Sequence, residues 1–134
     1  MDNISPRLLA GLCVMAAFAP VPAFAEDCEK GAGNMSQVRG CLYDLHQRQV
    51  DSVFRQTVRI ARARDAHAAA LLAKAEKSWE QFASDSCDYT AATSPSEMPE
   101  DARVNCWAAF ADARIKVLNA YRSKLLGADA GKSR

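Results

Sequence analysis

From Cys41 to Thr93 the chain contains neither glycine nor proline, and Ala, Leu, Arg, Gln and Glu are abundant. Nothing in that stretch bends the backbone or removes a donor, and those residues favour helix, so the segment reads as long helix. Leu42, Leu45, Val50, Val53, Phe54, Val58 and Ala61 recur at intervals near three and four, interrupted by Gln49 and Gln56. That period gives one broad apolar stripe and predicts a first main helix from about Ser36 to Arg62. The "ARARDAHAAA" that follows is polar, and Asp65 suits a helix N-cap, so the chain is expected to turn there. An uninterrupted helix has the same composition and stays open as the alternative. A second helix is expected to about Cys87, with Leu72, Ala75, Trp79, Phe82 and Ser86 on one face.

After it, "DYTAATSPSEMPED" is dense in Ser, Thr and Pro and reads as the one clear loop. A third helix is expected from about Pro99 or Glu100 to Leu126, with Val104, Trp107, Ala111, Ile115, Leu118 and Leu125 following its period. No alternating run of strand length occurs. The fold class is therefore all-α: a helical hairpin plus a third antiparallel helix.

The N-terminus adds a compartment. Arg7 precedes an apolar run from Leu8 to Ala19, then a Pro-containing stretch, then Ala23-Phe24-Ala25. This is the three-part pattern of a secretory signal peptide, with an apolar core too short to span a bilayer. Residues 1–25 are expected to be removed, leaving a helical domain over 26–126 and a disordered tail over 127–134. Cys13 follows Leu12, which is too large for a lipoprotein cleavage site, so no lipid anchor is expected. The expected location is periplasmic or secreted, without stable membrane insertion.

Four cysteines then remain, Cys28, Cys41, Cys87 and Cys106, and an even count in a short exported chain reads as a disulfide framework. They allow three pairings. Cys28 with Cys41 and Cys87 with Cys106 is preferred, because each closes a short loop, for about 3 kcal/mol per bridge by chain entropy. Such staples suit a domain too small to bury most of its surface. The second bridge would join the helix ends that flank the loop, with Trp79, Phe82, Trp107 and Leu118 as core beneath it. Zinc is disfavoured, since there is no C-x-x-C pair and only His46 and His67 are available to help.

Catalytic chemistry has little to work with. Glu76 and Glu80 are four apart but neighbour Lys74 and Lys77, which reads as a solvated face. His46 and His67 have no nearby nucleophile once the cysteines are oxidised, and there is no phosphate-binding glycine loop and no haem motif. No enzyme activity, metal or cofactor is expected. The formal net charge of +1 gives no bulk field for nucleic acid.

The stretch from Ala75 through Trp79 and Phe82 to Cys87, followed by Cys106, Arg114 and Leu118 in "CWAAFADARIKVL", resembles the LprI-type lysozyme inhibitor domain, a small exported bacterial helical domain. The family's earlier motif is echoed only by Cys41 and by Val50, Asp51 and Phe54. Ala83 and Ser84 stand where the family has an Arg-Asp pair, and Ala111 where it has Thr. The resemblance implies the fold, export, and a lysozyme or another peptidoglycan hydrolase as partner.

Two surfaces offer themselves for binding. Ser96, Glu97, Glu100 and Asp101 form an acidic loop held at both ends by the expected staple, suited to insertion into a basic cleft. The plainer reading is that these acids favour the positive end of the third helix. Arg48, Arg55, Arg59 and Arg62, with Arg64 close by, form a basic stripe on the first helix that suits anionic lipid headgroups or acidic envelope polymers. The function expected is a protein-binding module that inhibits a lysozyme-like hydrolase. The alternatives are a structural or stress-related envelope protein, or a secreted effector binding a host protein.

Overall fold

A computed structural model of the chain describes residues 24–95 and 98–130. The expected leader lies outside them except for its last two residues. Four helices follow in order: α1 (Phe24–Lys30), α2 (Met35–Arg64), α3 (Ala66–Thr93) and α4 (Pro99–Ala130). Among the described residues there is no strand. The helix α2 packs against both α3 and α4, and α1 packs on α2 alone.

Each helix boundary has a local cause. Asn34, in an extended conformation, accepts the Gln37 N–H at 3.0 Å, and Gln37 Oε1 accepts the Gly33 N–H at 2.7 Å, a reciprocal cap that starts α2. Asp65 alone separates α2 from α3. Its N–H closes α2 on the Ala61 carbonyl at 2.9 Å, and its carboxylate accepts the His67 N–H at 2.8 Å to open α3. One extended residue therefore makes the hairpin turn.

The helix α3 does not end near Cys87 as its Ser and Thr content predicts. The Ser86, Thr90 and Thr93 hydroxyls donate to carbonyls four residues earlier, at 2.7–2.9 Å, so these polar side chains are satisfied within the helix. The stop is Pro95, which excludes helical geometry at Ser94. Pro99 opens α4 at the position where a missing N–H is harmless. That helix continues past Leu126 to Ala130, into the segment expected as tail; residues 131–134 lie outside the described ones.

Cross-helix contacts fix the directions. Arg39 meets Asp101 and Gln56 meets Arg122, so α2 and α4 run the same way, while Gln47 meets Glu80 as α3 returns between them. The core has two adjoining parts. Val50, Ala111 and Leu118 are fully buried, with Val53, Phe54, Leu72, Trp79 and Ile115 packed around them. Ala83, Cys87 and Trp107 form the second, joined to the first by Trp79. Tyr43 stacks on Trp107 at 5.0 Å between ring centres.

Phe82, expected in the core, is 61% exposed and packs T-shaped on Phe110 with ring centres 5.6 Å apart. The buried line of α3 runs through Ala69, Glu76, Ala83, Cys87 and Ala91, and Ala83 takes the core position one residue on from Phe82. Small residues there let the helices approach closely. Large aromatics would hold them apart.

Both bridges form between the expected partners: Cys28 with Cys41, ending 5.6 Å apart at Cα, and Cys87 with Cys106 at 5.5 Å. The second closes a separation of 19 residues. Replacing Cys87 and Cys106 together by serine is expected to lower the unfolding free energy by about 3 kcal/mol while keeping the helical circular dichroism. Urea melts of the two forms check this, and coincident curves would mean that the bridge does not restrain the unfolded chain.

Candidate functional site

The connection between α3 and α4 is bracketed by three ties. Cys87–Cys106 joins the helices covalently, and Asp88 Oδ1 accepts from Arg103 Nε at 3.0 Å on the surface one turn nearer the loop. From across the bundle, Arg39 Nε donates to Asp101 Oδ1 at 2.6 Å. Its Nη2 also reaches the Met98 sulfur at 3.9 Å, so one guanidinium holds the first turn of α4 against α2. The Arg39 hydrogen bond keeps the Asp101 carboxyl below its ordinary value.

The four expected binding residues are therefore not equivalent. Ser96 and Glu97 lie outside the described residues. Glu100 is exposed in the first turn of α4, where its charge also complements the positive helix end. Asp101 is half-exposed and already engaged by Arg39, which makes it an anchor for the acidic loop. Sequence reading found no base near this loop because Arg39 lies far away along the chain. Only the parallel packing of α2 and α4 brings it there. Beside the ties, Tyr43, Ser84, Cys87, Asp88, Arg103 and Trp107 line a shallow cleft. Burial, and then the charges of Glu80, Asp44 and Asp88, raise the Tyr43 phenol above its usual range.

A second polar feature departs from the pattern of its neighbours. Glu76, expected on a solvated face beside Glu80, is 4% exposed, and its Oε2 accepts from Arg114 Nε at 2.9 Å and Nη2 at 2.6 Å. The Arg114 guanidinium also lies 5.7 Å from the centre of the Trp79 ring. Burial pushes the Glu76 carboxyl above its ordinary value, and the Arg114 hydrogen bonds partly offset that. Lys74 and Lys77 are exposed, as that face predicts, while Glu80 is half-buried and faces Gln47 of α2. The signal for Glu76 was available: it falls seven residues before Ala83 and seven after Ala69, on the inward line of α3.

Among the described residues no three His, Cys, Asp or Glu side chains are grouped to hold a metal ion. The Arg48, Arg55, Arg59 and Arg62 side chains are all exposed along α2.

Three long helices, the middle one antiparallel to the other two, with both bridges closing short segments define a disulfide-stapled all-α domain, of a kind suited to oxidising compartments. The chain belongs to the lysozyme inhibitor LprI family, whose model matches residues 27–118. No curated protein and no solved structure matches it. The family is one of inhibitors and not of enzymes, and lysozyme inhibition is implied at that level.

Two outcomes follow from the ion pairs. Arg114→Met leaves Glu76 buried without a counter-charge and is expected to cost about 3–5 kcal/mol in urea melts, with much of it recovered by adding Glu76→Met. For Asp101, folding lowers the pKa, so its contribution is present above the ordinary value of 3.8 and lost as pH falls through the folded value. Amide exchange in the first turn of α4 should therefore quicken on acidification below about pH 4, and Asp101→Asn should exchange fast at both ends of that range. Local exchange is the right readout, because Glu76 titrates in the opposite sense.

Proposed function

We propose that the chain inhibits a lysozyme-type peptidoglycan hydrolase by presenting the acidic connection between α3 and α4 to the basic rim of the enzyme's sugar groove. What carries this reading is the triple bracketing of that connection by Cys87–Cys106, Asp88–Arg103 and Arg39–Asp101. A loop whose two flanks are fixed loses less freedom on association, and its charge speeds encounter with a basic partner. Glu97 and Glu100 are the contacting carboxylates in this scheme, Ser96 lies beside them, and Asp101 holds the register from below. Lysozymes work with a carboxylate pair inside the groove, so an intruding acidic segment blocks the approach of substrate to it. The domain acts outside the cytoplasm, periplasmic or secreted, where its bridges persist.

The competing reading is an envelope protein that inhibits nothing and works through the exposed arginines of α2. The two separate in one experiment, a titration of the oxidised protein against hen-type lysozyme acting on bacterial cell walls. Saturable inhibition is expected, lost on reduction and weakened about tenfold or more by Glu97→Gln with Glu100→Gln. Arg55→Gln, Arg59→Gln and Arg62→Gln together should leave it unchanged. Inhibition that ignores the glutamates and needs the arginines would overturn the proposal.

A further inference from the structure

The formal charge of +1 conceals a separation of charge along the bundle. On the turn side of the central Glu76–Arg114 pair, residues 52–77 and 114–130 contain three acids by sequence, Glu76, Asp65 and Asp129. Glu76 is matched by Arg114, and Asp65 caps α3 through the His67 N–H. Against them stand Arg55, Arg59, Arg62, Lys74, Lys116 and Lys124, all exposed. None of these six forms an ion pair among the described residues. The acids collect at the other end, with Asp27, Glu29, Asp85, Asp88 and Glu100 exposed around the two bridges.

The basic end also exposes apolar side chains. Leu71 is 55% exposed, Leu126 53% and Tyr121 42%. Between them, where α2, α3 and α4 converge, Ala61, Ala68, Leu72, Tyr121 and Leu125 line an open groove whose one charged wall is Lys124. A soluble polyanion would neutralise the cations and leave the leucines in water. A bilayer interface satisfies both, taking apolar side chains at the acyl boundary and cations at the phosphates.

We infer that the turn end of the bundle is a peripheral docking site for an anionic phospholipid bilayer. Arg59, Arg62 and Lys124 meet the headgroup phosphates, and Leu71, Tyr121 and Leu126 enter the interfacial layer. Arg59 and Arg62 lie within about 9 Å of the Asp65 turn along the helix axis, inside one screening length of the surface. Among the described residues no helix is long and apolar enough to cross a membrane, so the contact is superficial. This inference does not depend on the inhibitory reading, since it uses the opposite end of the molecule.

The test is flotation of the oxidised protein with vesicles of mixed phosphatidylglycerol and phosphatidylcholine, with pure phosphatidylcholine vesicles and soluble polyphosphate alongside. Partitioning onto the anionic vesicles alone is expected, falling about fivefold for each of Arg59→Gln, Arg62→Gln and Lys124→Gln. Leu71→Ser with Leu126→Ser should also reduce it, with helical circular dichroism retained by every variant. Equal binding to both vesicle types, or none to either, overturns the proposal. Binding to polyphosphate as strong as to vesicles, and indifferent to the leucine changes, overturns it in favour of a polyanion site.

Discussion

A carboxylate buried between helices needs a counter-charge, and Arg114 supplies it to Glu76 where α3 and α4 cross the middle of the bundle. Sliding one helix by a turn would strand both charges in a low-dielectric interior, a penalty far larger than any single apolar contact there. The pair therefore sets the register of α3 on α4. With that register fixed, Cys87 falls opposite Cys106 and Phe82 beside Phe110, while Trp79 closes over the guanidinium. Burial of Leu118 and Val50 supplies stability, but such contacts tolerate displacement. The ion pair adds a penalty for misalignment that those contacts lack, beside the covalent tie of Cys87–Cys106.

Helix existence, the Asp65 turn and both bridges were legible in the sequence because each rests on a local rule. Absence of Gly and Pro, an acid before an alanine run, and cysteines at short separations are all properties of contiguous residues. What failed was the choice of face. Phe82 and Ala83 both suit the spacing set by Trp79, and the decision went to the smaller side chain because close helix approach needs it. Glu76 was assigned to solvent by its charged neighbours, although its period placed it inward. The end of α3 is not legible from Ser and Thr as loop formers, because a helix carbonyl that already accepts the N–H four residues on can take their hydroxyls as well. The acidic loop was legible as composition, but its Arg39 partner is a product of packing alone.

The domain's two ends differ in chemistry as well as in charge. At one, covalent and ionic ties converge on a short connection flanked by the carboxylates of Asp88, Glu100 and Asp101. At the other, a single extended residue joins two helices near exposed leucines and exposed cations such as Arg59, Arg62 and Lys124. The LprI family match spans residues 27–118 and so includes the stapled end and the Asp65 turn, but not the last turns of α4 that carry Tyr121, Lys124 and Leu126.

Cys41, Cys87 and Cys106 share one level of the bundle, and no covalent link lies between that level and the Asp65 turn. Covalent restraint is thus confined to one end of the bundle, while the other is held by the Asp65 caps and by side-chain packing alone. Loss of packing should therefore loosen the turn end first, with the stapled end keeping its neighbours even as the helices part.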